Sequence, residues 1–390
     1  MKNRNIFCLD YISKSGTNCF RQGYNLVDSI DEADGVLVRS SNMREMNFPA
    51  RLKAIVRVGA GVNNIPLKQC AEQGIVVFNT PGANANSVKE LVLAAIFLAS
   101  RDIIGANEWV RANSSDIAIS KESERIKRAF VGHEIKGKIL GIIGLGAIGM
   151  KVADAAIALG MEVLGYDPYI LSKSDWNANP YICYVDDINC IYEKSDYITI
   201  HTPVTDLTKG IINEEAILKM KEGVNILNFA RDILVDENAM KNGLESGKVA
   251  KYISDFPNSL NASLKNAIIL PHIGASTIEA EDNCAIMAVK QMQEYLDYGN
   301  ITNSVNYPII GTNIDKMRMH VLLLYKNEYK NLSDIMKIFK SNDIILDGFV
   351  SKEREGYACF ISNLVYEIPS SVIAELCKLE GVIRVRQFIM

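Results

Sequence analysis

The sequence has 390 residues, 48% of them apolar and 23% charged, with a formal net charge of −4. That length exceeds one core, since domains run to roughly 100–200 residues, so two or three are expected, and the composition excludes a fibre or a disordered chain. The acidic balance argues against a nucleic-acid surface, so small anions must be met by local arginines.

The N-terminal Met1-Lys2-Asn3-Arg4-Asn5 leads into only four apolar residues, too few for a secretory leader. The longest apolar run, residues 91–99, is about half of what a membrane span needs. A cytoplasmic protein with neither membrane nor nucleic-acid partner is expected. The eight cysteines form no Cys-x-x-Cys pair, and no histidine stands at metal spacing, so neither a metal nor a disulfide framework is expected.

Residues 1–81 alternate short β-rich runs (5–9, 35–39, 54–58 and 75–78) with helical or turn segments, the rhythm of a parallel α/β unit. Residues 84–113 read as one long helix, apolar on more than one side and so buried between larger bodies. A second α/β rhythm begins at residue 138 and runs through strands at 139–143, 162–166, 197–201, 224–229 and 268–270, as in a doubly wound sheet. A helix over 276–298 follows. Residues 300–315, with Pro308 and Gly311, read as a linker. The tail, residues 316–390, reads strand 318–325, helix 332–341, strands 344–351 and 357–364, helix 370–379 and strand 382–389, the split ferredoxin-like order.

Directly after the apolar run 139–143 comes Gly144-Leu145-Gly146-Ala147-Ile148-Gly149. The first glycine permits a tight turn, the second lets backbone amides approach a pyrophosphate, and the third lets helix pack on strand. A bare glycine pattern is weak. This one has a strand before it, a helix after it, a second strand, and Asp167 eighteen residues beyond Gly149. Asp167 would accept hydrogen bonds from ribose hydroxyls and repel a 2′-phosphate, which favours NAD over NADP.

The sequence has four histidines, at 133, 201, 272 and 320. Oxidation of an alcohol needs a proton acceptor that titrates near neutrality. His272 follows the run 268–271 and precedes Gly274-Ala275-Ser276, at the carboxyl end of a strand where open α/β sheets place ligands. Arg231 ends another apolar strand and could grip a carboxylate bidentately. His201 reads as a wall residue beside the cofactor, and His133 and His320 as surface or packing residues.

The segments Val36-Leu37-Val38-Arg39-Ser40, Gly59-Ala60-Gly61-Val62-Asn63-Asn64, residues 74–81, Glu90-Leu91-Val92, the Gly144 loop, His201-Thr202-Pro203, Asn228-x-Ala230-Arg231 with Val235-Asp236-Glu237, and residues 271–277 carry a resemblance. The chain resembles the D-isomer-specific 2-hydroxyacid dehydrogenase family over nearly its whole length. The resemblance implies two doubly wound lobes: a flavodoxin-like catalytic lobe (1–82 with 278–305) and an inserted Rossmann NAD lobe (83–277). A ferredoxin-like, ACT-like domain (316–390) would follow. His272 would be the acid/base and Arg231 the carboxylate clamp. Thr202, Pro203, Ala230 and Asp255 would line the nicotinamide beside Gly274, with Asp255 holding its carboxamide. In members that take phosphoglycerate, basic residues of the first lobe meet the phosphate; Arg39 and Arg57 match here, with Ser40, Gly61 and Asn84 beside them. The implied activity is NAD-dependent oxidation of 3-phosphoglycerate to 3-phosphohydroxypyruvate, the first step toward serine, by a homo-oligomer (dimer or tetramer). The alternatives are another family enzyme, such as a glycerate or hydroxypyruvate reductase, and a non-catalytic NAD sensor resembling corepressors.

Two departures stand out. Where the family has Arg-Gly, Arg231 is followed by Asp232, a carboxylate that could pair with the clamp. The family's catalytic Glu should lie a few residues past the Asp-x-Phe motif, yet residues 257–265 contain no Glu. In the tail, the loop 326–331 lacks the glycine of serine-binding ACT domains, and Leu323, Tyr325 and Ile345 stand where polar contacts would lie, so serine should have little effect.

Overall fold

The computed structural model describes residues 3–169, 179–311, 319–329 and 331–389. The expected tail boundary at 316, the strand start at 318, the linker's end at 312–315 and Lys330 lie outside the described residues. The chain forms two compact units, residues 1–84 with 278–390, and residues 85–277.

The first unit holds a parallel sheet of β1 (Arg4–Cys8), β2 (Tyr24–Val27), β3 (Gly35–Val38), β4 (Ala54–Arg57) and β5 (Val76–Phe78), in the order β2-β1-β3-β4-β5. This is the flavodoxin-like order, with the topological switch between β1 and β3. Strands β3 and β4 read as unbroken apolar runs because both faces are covered. One face packs on the helix Ile278–Tyr298, whose Ala285, Ala288, Val289, Met292 and Tyr295 share a core with Leu37, Val56 and Phe78.

The second unit holds β6 (Ile139–Ile143), β7 (Glu162–Tyr166), β8 (Ile182–Tyr184), β9 (Tyr197–Ile200), β10 (Val224–Asn228), β11 (Val249–Ser254) and β12 (Ala267–Ile269). Their order, β12-β11-β10-β9-β6-β7-β8, is all parallel and reverses direction between β6 and β9, as in a Rossmann sheet.

Two expectations need correction. Residues 84–113 are not one buried helix. Asp102 ends the helix Ala85–Ser100 and caps a second, Ile103–Ala112, by accepting from Gly105 N at 3.1 Å. That second helix buries none of its residues. The stretch read as a linker is packed up to residue 311: Tyr307 is fully buried with its hydroxyl donating to Ala71 O at 2.6 Å, and Asn306 bonds both Val77 N and Ile75 O. Beside Pro308 and Gly311, Tyr307 and Ile310 belong to the core, while Ile309 is exposed.

The tail has the expected split ferredoxin-like order, with β13 (His320–Lys326), β14 (Leu346–Arg354), β15 (Tyr357–Leu364) and β16 (Val382–Phe388) antiparallel in the order β14-β15-β13-β16. One sheet face takes the helices Asn331–Ser341 and Ser370–Leu376. Leu322, Leu324, Cys359, Ile361 and Phe388 on the other join the core of the first unit. Arginines complete this contact. Arg384 donates to the carbonyls of Leu52 and Gln73, and Arg386 to those of Tyr295 and Leu296. Arg386 thereby joins Gly299 N on Tyr295 O and Arg4 Nη2 on Leu296 O in capping the last turn of Ile278–Tyr298. His320 is buried, contacts Tyr298 O at 2.5 Å and stacks on Phe388, a packing residue as expected, and His133 is exposed.

Candidate functional site

In the second unit the cofactor motif occupies the carboxyl end of β6, and its three glycines do three different jobs. Gly144 has φ +96°, bonds Tyr166 O at 2.8 Å, and leaves no room for a Cβ, which would lie 2.7 Å from His201 O. A Cβ on Gly149 would lie 2.0 Å from Gly144 O, so this glycine sets the helix against the loop. A Cβ on Gly146 would meet nothing within 4 Å. Gly146 caps the helix Ala147–Ala158, so Ala147 and Ile148 supply first-turn amides to an open cradle. Open space before a helix N-terminus suits an anionic pyrophosphate.

Asp167 follows β7, and its Oδ2 accepts from Leu145 N at 3.0 Å, which holds the carboxylate against the glycine loop. Thr202 and Pro203 follow β9 beside Gly144. Thr202 Oγ1 and His201 Nδ1 are buried without a hydrogen-bond partner. Orphaned polar atoms beside an open glycine cradle fit a bound dinucleotide. Thr199 Oγ1 lies 2.9 Å from His201 Nε2, and burial pushes the His201 imidazole down to about 3.

Ala230 and Arg231 follow β10. Arg231 Nη1 donates to Ala230 O at 2.5 Å, and among the described residues it makes no ion pair to Asp232. Asp255 follows β11 and is 2% exposed. Its Oδ1 accepts from Ile273 N and its Oδ2 from Gly274 N, both at 2.7 Å. His272, after β12, has φ +58°, a conformation that costs a residue bearing a Cβ on the order of 1–3 kcal/mol. Its ring lies 4.9 Å from that of Phe256. One sheet edge thus carries the glycine loop, Asp167, Thr202, Ala230, Arg231, Asp255 and His272.

In the first unit Arg39 and Ser40 follow β3, and Arg57 ends β4 in register with Val38. Gly61 and Asn84 follow β4 and β5. Two features escaped sequence reading. Asp10 gathers the amides of Arg39, Ser40 and Ser41 and the Ser41 hydroxyl; burial works against its charge, yet these bonds hold its carboxyl below the usual range. Arg39 Nη2 is held by Glu281 Oε1 at 2.7 Å. Arg57 folds over Gly59, where a Cβ would meet its Nη1. An acidic residue one strand away from its target leaves no spacing signal in the sequence. An i, i+3 or i+4 pattern would have done so.

Seven parallel strands, a glycine turn into a helix, and a histidine and an arginine at their carboxyl edge define an NAD-binding dehydrogenase of the doubly wound class. Residues 93–274 match the "D-isomer specific 2-hydroxyacid dehydrogenase, NAD binding domain". Hydroxypyruvate reductase of Thermotoga maritima is 38% identical over 279 residues, 68% of this chain and 86% of that protein. D-3-phosphoglycerate dehydrogenase of Methanocaldococcus jannaschii is 37% identical over 308 residues, 76% of this chain and 56% of that protein. The chain therefore belongs to the D-isomer-specific 2-hydroxyacid dehydrogenase family. It spans little more than half the length of the phosphoglycerate dehydrogenases it matches first. Among solved structures, NAD+-bound 3-phosphoglycerate dehydrogenase of Entamoeba histolytica aligns with TM-score 0.61 and 27% identity, covering 79% of this chain and 100% of that one. Among the described residues no helix is long and apolar enough to cross a membrane.

Proposed function

We propose that this protein oxidises 3-phosphoglycerate to 3-phosphohydroxypyruvate with NAD, the first step of serine formation, in the cytoplasm. The observation that carries this reading is the pairing of β3 and β4, which brings two arginines, Arg39 and Arg57, to one sheet edge where a phosphate dianion would find two guanidinium groups. Ser40, Gly61 and Asn84 would complete that anion site.

NAD would lie on Gly144, Gly146, Ala147, Ile148 and Gly149, with Asp167 on the ribose and Thr202, Pro203, Ala230 and Gly274 about the nicotinamide; when bound, it supplies the hydride acceptor. Arg231 would hold the substrate carboxylate bidentately and so fix the C2 carbon. His272, with its imidazole neutral, would take the C2 hydroxyl proton on one ring nitrogen as the carbonyl forms, and return it in the reverse direction. No carboxylate in residues 257–265 is available to share that proton.

A second reading, a hydroxypyruvate or glycerate reductase, is favoured by the Arg39–Glu281 pair, because a carboxylate already occupies one guanidinium. The experiment is NADH formation with 3-phosphoglycerate beside D-glycerate. A kcat/KM at least tenfold higher for the phosphorylated acid supports the first reading, and the opposite order the second.

The exposed Ile103, Ile104 and Val110 of the helix Ile103–Ala112, with Ile117 and Val131 beyond it, support a homo-oligomer. The tail's topology supports its reading as an ACT-like module. Light scattering of the wild type against Ile104→Asp tests the first of these.

A further inference from the structure

We infer that Asp255 acts through His272: its carboxylate is the clasp that holds the imidazole's backbone in the left-handed conformation. This rests on the reading of His272 as the acid/base, and it assigns Asp255 a duty other than gripping a carboxamide.

A histidine at φ +58° is sterically disfavoured and persists only where its surroundings over-determine it. Here the turn is held at four points. Leu270 N donates to Ser254 O at 2.8 Å, Ile273 N and Gly274 N donate to the two oxygens of Asp255, and Gly274 O accepts from Ser87 Oγ at 2.7 Å. His272 sits in the middle of this set. Leu270 N before it and Ile273 N after it are both pinned, so the backbone of residues 271 and 272 must turn as it does for the two following amides to reach one carboxylate.

Asp255 is itself fixed, since its own amide donates to Asn228 O at 3.1 Å and its side chain is 2% exposed. Space is tight as well: a Cβ on residue 274 would lie 2.9 Å from Asp255 Oδ2, so glycine is needed there for the carboxylate to reach its second amide. Each oxygen is engaged by one N–H. An asparagine could accept one of them, but its NH2 would then face the other N–H. Releasing either end lets His272 relax toward ordinary φ and swings its Cα–Cβ bond away, and misplacement of an acid/base group by about 1 Å can cost on the order of 10² in rate. Asp255 is thus a positioning residue, and the missing family Glu is not replaced by it.

The test is Asp255→Asn in the full chain. NADH affinity, read by cofactor fluorescence without turnover, should stay within threefold of wild type, and KM for the hydroxy acid likewise, while kcat falls roughly 10–100-fold. In the His272→Gln background the same substitution should add less than threefold, because the loss is already taken. A wild-type kcat, losses that multiply in the double variant, or NADH binding weakened tenfold or more would overturn the inference; the last would return Asp255 to the cofactor. Should Asp255→Asn fail to fold, Ser87→Ala loosens the same turn from its other side. It should lower kcat several-fold with unchanged NADH affinity, and an unchanged kcat would equally overturn the inference. If His272→Gln retains full activity, the acid/base reading itself fails, which is a separate result from an inert Asp255→Asn beside a crippled His272→Gln.

Discussion

Asn228 closes the turn that presents Arg231: its Nδ2 donates to Arg231 O at 2.7 Å while its Oδ1 accepts from Ala230 N at 3.2 Å. The amide is fully buried at the end of β10, and its own carbonyl receives Asp255 N. One side chain thus ties the Arg231 turn to the strand end that bears Asp255.

Asn228→Ala removes both bonds and leaves the Arg231 carbonyl and the Ala230 amide without them. Such a loss costs on the order of 1–3 kcal/mol of stability. The sharper expectation is kinetic. Because the guanidinium should drift, KM for the hydroxy acid should rise about tenfold or more while NADH affinity holds, measured by initial rates and cofactor fluorescence. An unchanged KM would show that Arg231 needs no such support.

Much of this was legible in the sequence, for reasons particular to each element. Strands β3, β4, β6 and β10 are buried on both faces and read as apolar runs, and the glycine loop carries its own steric grammar. Strand β2 escaped because it is an edge strand with only partly covered side chains, Tyr24-Asn25-Leu26-Val27. Strand β8 is a three-residue edge, and Lys251 interrupts β11. Asp102 hid the helix break, since an aspartate within an apolar periodic stretch reads equally as a solvated face and as a cap. The duties of Asn228, Asp10, Ser87 and Glu281 depend on backbone groups or partners brought close by folding alone, which no local spacing encodes.

The reading of Arg57 as a phosphate ligand is tested by Arg57→Gln. Loss of a charged hydrogen-bonding partner of a phosphate should cost roughly 10²-fold in kcat/KM for 3-phosphoglycerate, and less than threefold for D-glycerate. Glu281→Gln should do the reverse for the phosphorylated acid, lowering its KM, because Arg39 is freed of a competing carboxylate. Equal losses on both substrates in Arg57→Gln would make that arginine a structural one.

Serine should leave the activity unchanged up to about 1 mM, the range over which a specific effector site would saturate. Leu323 is wholly buried under the tail's helices, Tyr325 spends its hydroxyl on Ser351 Oγ at 2.8 Å, and Ile345 is exposed and apolar, so none offers a free polar contact. The opposite sheet face is committed to the first unit through Phe388, Arg384 and Arg386. Inhibition by submillimolar serine in a steady-state assay would contradict this.

The second and third glycines of the cofactor loop should separate binding from folding. Gly146→Ala adds a methyl to open space, so thermal stability should barely change while NADH affinity falls tenfold or more, because that space is where the dinucleotide would lie. Gly149→Ala drives a methyl into Gly144 O and should destabilise the second unit by about 1–3 kcal/mol, whether or not cofactor is present. Calorimetry and NADH titration on both variants give the answer. A Gly146→Ala protein that binds NADH normally would mean that the cradle is not used.

The last prediction concerns acid stability. The His201 imidazole is pushed down to about 3 by burial, whereas in the unfolded chain it returns to about 6.5. The unfolded state therefore binds the proton more readily than the folded one over the interval between those values. The contribution to stability is complete above about pH 6.5 and is lost as the pH falls below it, at up to about 1.4 kcal/mol per unit, which amounts to roughly 1–2 kcal/mol by pH 5. His201→Gln keeps a group able to bond Thr199 Oγ1 but has no proton to gain. Urea midpoints at pH 7.5 and pH 5.0 should thus lie further apart for the wild type than for His201→Gln. Identical shifts in the two proteins would show that His201 takes up its proton in the folded state as easily as in the unfolded one.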